Sequence, residues 1–251
     1  MNVSKYRLLQ KLLAVVAAFQ LAGCVTPPAK QAYNREANSA IKRIRVLPFP
    51  ESQVGLDIVN NPAMGFGLIG LAVAEANLAP KRNWLEALVR DNHFDHVAIF
   101  HDRFDKDMAS KGYELIWSVP INEDPKKPAP RERWGYRKTF MPDTGADAQL
   151  DIKLAYVGYA AAGGGSSAPY RPTVGMSAKL VSADGKVNLM SDLIIYNPVF
   201  PQLPNPITIN PNPEYTYPEF NALQAAGQKA LDGLQDALEA SADELAKQFG
   251  P

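Results

Sequence analysis

The sequence predicts an α/β to α+β fold, a single mixed β-sheet packed by amphipathic helices with a long helix at the C-terminus. Three observations carry this. Residues 173–196 hold two runs of alternating apolar residues joined by Asp184-Gly185, the mark of an antiparallel hairpin. Residues 219–249 place Phe220, Leu223, Leu231, Leu234, Leu238 and Leu245 at three- and four-residue steps and their sums, the period of a helix with one apolar face. Ile41 to Pro50 sets β-branched residues among bases and stops at prolines, which predicts a first strand.

At the N-terminus, Lys5, Arg7 and Lys11 precede a short apolar run from Leu12 to Phe19, and small residues lead to the single cysteine, Cys24. That layout predicts a secretory signal over residues 1–23. The run falls well below the ~20 residues needed to span a bilayer. Leu21-Ala22-Gly23-Cys24 resembles the lipobox of bacterial lipoproteins at every position. The resemblance implies that Cys24 becomes the first residue of the mature chain, with a diacylglyceryl group on its thiol and an acyl chain on its amine. Each buried methylene contributes about 0.8 kcal/mol and one chain binds only marginally, so three chains imply lasting attachment to the membrane. Val25 stands where the family's inner-membrane retention signal carries Asp, which implies the outer membrane with the domain facing the periplasm. The alternative role for Cys24 is a buried free thiol after a plain signal peptide.

The full chain has 26 basic and 26 acidic residues, and removing residues 1–23 leaves 23 against 26. This balance implies no nucleic-acid partner. The 228 residues that remain of 251 can bury a full core, and without a second cysteine they must do so without internal disulfides. Residues 24–40, with Pro27 and Pro28 and no apolar period, predict a lipidated cysteine followed by a flexible tether. Residues 41–251 are then one globular domain with Pro-rich loops at 120–138 and 198–218.

Along that domain, Gly65-Phe66-Gly67-Leu68-Ile69-Gly70 matches the GxGxxG spacing and leads into a helical run from Leu71 that is expected to end before Pro80. A dinucleotide fingerprint needs a strand feeding its first glycine, whereas Asn60-Asn61-Pro62 interrupts the chain, so no cofactor is expected. The glycines suit close packing of a short apolar helix; contact with a membrane or another subunit is the other use for such a run. Trp84, Leu85, Leu88 and Val89 predict a helix over 82–90, and Phe94–Phe100 reads as a strand with Val97 and Ile99 inward. With the first strand these form a βαβ-like unit. A short helix from Asp102 to Lys111, stopped by Gly112, and a strand over 113–119 follow.

The segment 120–138 mixes four prolines with lysines and arginines and is expected in solvent, with Trp134 and Tyr136 packed back on the body. Ile152, Leu154 and Tyr156 alternate with Asp151, Lys153 and Ala155 in a strand over 148–160, followed by a flexible Gly163–Ser167 connection. The seven prolines of 198–218 exclude a central strand and suit a cover over a sheet edge.

His93, His96 and His101 lie within nine residues, interleaved with Asp91, Asp95 and Asp102. Imidazole and carboxylate are zinc ligands, which makes these histidines the metal candidates of the chain. On a strand, however, His93 and His101 share one face while His96 takes the other, and no pair stands at i, i+4. The expectation is a polar turn and no bound metal. No Gly-x-Ser-x-Gly, cysteine nucleophile or paired-histidine helix is present, and no catalytic residue is assigned.

The lipobox, the polar tether, the Ile44-Arg45-Val46-Leu47-Pro48-Phe49 strand, a long amphipathic helix and the Ala146-Asp147-Ala148-Gln149-Leu150-Asp151-Ile152-Lys153-Leu154 strand resemble small Gram-negative envelope lipoproteins with the TolB amino-terminal-like fold. That group includes penicillin-binding-protein activators and the curli secretion lipoprotein. The likeness covers about residues 41–196 and departs at 198–218. It implies a non-enzymatic binding or assembly role with an envelope protein as partner, and no catalytic residue carries over. An oligomeric secretion or pore component is the alternative, and a metal-dependent enzyme the third reading.

Overall fold

Fifteen residues, Ala148–Ala162, form the strand on which the sheet is built. A computed structural model describes residues 30–48, 53–59, 67–118, 130–132, 135–163, 168–199 and 205–250 of the chain. In chain order the elements are β1 (Arg43–Val46), β2 (Val54–Val59), α1 (Gly67–Asp91), α2 (His96–Ser110), β3 (Glu114–Trp117), β4 (Ala148–Ala162), β5 (Tyr170–Ser182), β6 (Asn188–Tyr196), β7 (Ile207–Ile209), a 3-10 turn (Pro213–Tyr215), α3 (Phe220–Ala226) and α4 (Gln228–Lys247). The described residues thus give one mixed seven-stranded sheet with four α-helices.

The strand order is β3-β1-β4-β5-β6-β7. One edge of β4 is shared, because its first residues pair in parallel with β1 (Ile44 opposite Ala148) and its last ones in parallel with β2 (Val54 opposite Val157). Its other edge runs antiparallel to β5, which continues into the antiparallel β5–β6 hairpin expected over 173–196. β2 and β4 approach at glycines: a Cβ on Gly158 would lie 1.8 Å from the Gly55 carbonyl oxygen. Only a residue without a side chain fits there.

The leucine stripe of the C-terminal region lies on the sheet, as its period requires. Leu231, Leu234, Leu238 and Leu245 are buried against a core that includes Ile44, Leu150, Ile152, Leu180 and Met190. Each such side chain contributes roughly 1.5–3 kcal/mol on burial, so this row holds α4 in place. The helix does not run unbroken from residue 219. Gly227 adopts φ 54° and divides α3 from α4, a conformation that glycine takes without the penalty of a Cβ. Gly233 has another use, because a Cβ there would lie 2.7 Å from the Tyr159 hydroxyl.

Two further expectations are overturned between residues 71 and 110. α1 does not stop before Pro80 but passes through it to Asp91, merging the two helices expected at 71–79 and 82–90. Proline removes a single donor from the ladder. On either side Leu78 and Leu85 are buried, and Arg82 donates to the Leu56 carbonyl at 3.0 Å and to Asp57 at 2.6 Å. Residues 94–100 do not form a strand. Asp95 caps a helix by accepting from the backbone N–H groups of Val97 (3.1 Å) and Ala98 (2.9 Å), and Phe100, Phe104 and Met108, four apart, are buried. The cap and the period of four outweigh the β-propensity of Val97 and Ile99. On the side of β1 away from β4 the parallel partner is therefore β3, reached through β2, α1 and α2.

β2 was not anticipated, although Val54, Leu56 and Ile58 alternate with Gly55 and Asp57. The described part of the expected tether, residues 30–40, is docked. Gln31 and Ser191 exchange backbone hydrogen bonds (3.1 and 2.9 Å) on the outer edge of β6, Tyr33 meets Phe249 with ring centroids 5.4 Å apart, and Arg35 donates to the Lys111 carbonyl at 2.9 Å. Farther along, the same edge of β6 is covered by β7, from within the Pro-rich segment. Together the two segments shield an edge that would otherwise present free backbone groups. The Gly164–Ser167 part of the glycine-rich connection lies outside the described residues.

Candidate functional site

Cys24 lies outside the described residues. Six residue steps separate it from Lys30, at most about 20 Å of fully extended chain. Lys30 stands beside β6 with its ammonium 3.6 Å from Asp192, whose side chain is 1 % exposed. That distance makes an ion pair and is too long for a hydrogen bond, and both carboxylate oxygens lack a hydrogen-bond partner among the described residues. Burial raises the pKa of Asp192 above the ordinary aspartate range, and Lys30 partly offsets this.

The three histidines are not brought together. His93 occupies the turn after α1 with φ 52°, His96 opens α2, and His101 sits on that helix with its ring 4.0 Å from Trp117 and Nδ1 3.0 Å from Asp102. Asp91 pairs with Arg90, and Asp95 is committed to its cap. Among the described residues no group of three His, Cys, Asp or Glu side chains converges as a metal site. Gly65 and Phe66 of the GxGxxG match lie outside the described residues, while Gly67 and Gly70 fall within α1. β2 ends at Val59, so residues 60–64 intervene before the first glycine.

The basic segment expected in solvent is anchored in its described part. Arg131 donates to Asp151 from Nη1 (2.8 Å) and Nη2 (3.1 Å), and Arg137 from its backbone N–H (2.9 Å) and Nε (3.3 Å). Asp151 is 1 % exposed, so these guanidiniums turn inward because a buried carboxylate must be paired. Tyr136 is buried against the body as expected; Trp134 lies outside the described residues.

The concave feature with convergent chemistry lies where β6 leaves the sheet. Asn197 takes φ 64°, a left-handed conformation that asparagine tolerates better than most residues, and is 1 % exposed. Its Nδ2 donates to the Thr173 hydroxyl at 2.7 Å and its backbone N–H to the Ile209 carbonyl at 3.0 Å. β5 extends past this turn to Tyr170, which exchanges backbone hydrogen bonds with Tyr217 (2.7 and 2.9 Å). Between these fixed points opens a cleft of about 540 Å³, with Arg171, Asn197, Asn210, Pro211, Pro213 and Thr216 in its lining. Among the described residues, no acidic side chain is in that lining and Arg171 forms no ion pair. The sequence reading missed this site. Its signals were an Asn-Pro dipeptide closing an apolar strand and a lone arginine in the strand beside it.

Among the described residues no helix is long and apolar enough to cross a membrane. No family model matches the chain, and no curated protein matches it. The structure is similar to the crystal structure of the lipoprotein GNA1162 from Neisseria meningitidis, at 15% identity over 61% of this chain and 81% of that one, with a TM-score of 0.26. At that score the likeness transfers neither fold nor activity.

Proposed function

We propose that this chain is an envelope lipoprotein acylated at Cys24, held on the outer membrane with its domain facing the periplasm, where it binds or helps assemble another envelope protein without catalysing a reaction. The observation that carries the reading is Leu21-Ala22-Gly23-Cys24 at the end of a signal-like segment. The docking of Lys30 and Gln31 on β6 supports it by giving the anchor a fixed exit point, so that the domain stays within about 20 Å of chain from the lipid. No side chain is assigned a catalytic role. Fractionation of cell envelopes tests the reading: the wild-type protein is expected with outer membranes after a high-salt wash, and Cys24→Ser in the soluble periplasmic extract. Recovery of both proteins in the same fraction would remove the anchor from the account.

Self-association is the second reading, and one observation favours it. Val73, in the second turn of α1, is 52% exposed. If that surface joins subunits, light scattering of the detergent-solubilised chain gives an oligomer that Val73→Asp reduces to folded monomers; a monomer with either residue leaves the single-copy reading.

A further inference from the structure

We infer that the cleft beside the Asn197 turn binds a small ligand carrying a carboxylate or phosphate on an apolar body. The inference names a ligand class for a binding role and does not depend on lipidation, so failure of the anchor would leave it standing.

Charge is the first argument. Among the described residues, Arg171 is the one ionisable side chain in the lining, and it lacks an ionic partner. A guanidinium presents a planar fork of donors that matches a carboxylate or phosphate in two parallel hydrogen bonds, and it stays charged at any physiological pH. No acidic group among the described lining residues competes for it. Asn210 and Thr216 add neutral hydrogen-bonding groups.

Shape is the second argument. A volume of about 540 Å³ lies within the ~300–1,000 Å³ of small-molecule sites. Val199, Pro211 and Pro213 supply apolar wall, and proline rings fix their own φ, so little order is lost when a ligand enters. Both sides of the cleft are tied to the sheet, one through β7 on β6 and the other through the Tyr170–Tyr217 bridge. The left-handed Asn197 between them is held by Thr173 and Ile209, and backbone strain of this kind collects at ligand sites.

Ligand-observed fluorine NMR on the full chain in detergent micelles tests the inference, with protein-free micelles subtracting partition into detergent. The probes are 4-fluorobenzoate, 4-fluorophenyl phosphate and the neutral 4-fluorobenzamide. The wild-type protein is expected to broaden at least one anion at about millimolar concentration and to leave the amide sharp. Which anion broadens distinguishes a carboxylate from a phosphate ligand. Arg171→Gln is expected to abolish the broadening without changing the thermal midpoint, because the guanidinium has no ionic partner to lose. Arg171→Lys keeps the charge without the fork and is expected to bind about tenfold more weakly, which preserves the test if the glutamine variant fails to fold. Sharp lines for both anions, equal broadening of the amide, or binding by Arg171→Gln or Arg171→Lys equal to wild type would overturn it.

Discussion

Lys30 holds its ammonium 3.6 Å from the carboxylate of Asp192 and thereby fastens the segment that follows the proposed lipid anchor to the edge of the sheet. Burial raises the pKa of Asp192, Lys30 opposes that, and the charge of Glu244 adds to it. A carboxyl with a raised folded pKa favours the fold most when protonated. Its contribution is therefore full below the ordinary aspartate value and is lost as pH rises through the folded one. Asp192→Asn is expected to be more stable than wild type at pH 7, with the gap closing on acidification towards pH 4. Lys30→Ala should lose about 1–3 kcal/mol at pH 7 by leaving a buried charge alone. Urea denaturation across that pH range checks both, and a pH-independent gap would contradict the raised pKa of the buried carboxyl.

Gly158 and Gly55 face each other across β2 and β4 but differ in what a side chain would meet. A Cβ on Gly158 would strike the Gly55 carbonyl at 1.8 Å, whereas one on Gly55 would reach Tyr156 Cε2 at an ordinary 3.6 Å. Gly158→Ala is expected to cost about 3 kcal/mol or more by forcing the strands apart, and Gly55→Ala less than about 1 kcal/mol. Equal losses in chemical denaturation would argue against the β2–β4 register.

Asp151 is shared by Arg131 and Arg137. Asp151→Asn removes the charge that both guanidiniums are turned inward to meet and should cost about 3–5 kcal/mol. A loss below about 1 kcal/mol would return the segment 130–138 to the solvent-exposed loop that its composition suggested.

The histidine region gives a paired test. Asp95→Ala should destabilise the protein by about 0.5–2 kcal/mol through loss of the α2 cap. Elemental analysis of the purified protein is expected to find no stoichiometric zinc. About one metal per chain, lost on His93→Ala or His96→Ala, would contradict the placement of these side chains on separate turns.

How legible the molecule was from its residues depended on where its regularities were local. The 173–196 hairpin and the leucine stripe of α4 show their period within a few residues of chain, and both appear where expected. Residues 94–100 read as a strand because Val97 and Ile99 satisfy a two-residue period over a window too short to reveal Phe100, Phe104 and Met108. Pro80 reads as a stop because the contacts that hold α1 beyond it, Arg82 with Asp57 and Leu56, come from another element. The inward turn of Arg131 and Arg137 is likewise tertiary, since nothing in a run of bases tells which of them will meet a buried carboxylate. The cleft was invisible for the same reason: Arg171, Asn197 and Thr216 are brought together only by the sheet.

Metabolic labelling with a fatty-acid probe tests the proposed anchor most directly. Cells producing the wild-type chain or Cys24→Ser are fed the probe, and the protein is captured and examined for label. Strong labelling of the wild type and none of the substituted chain is the expected result. Equal label on both, or none on either, would contradict lipid attachment at Cys24.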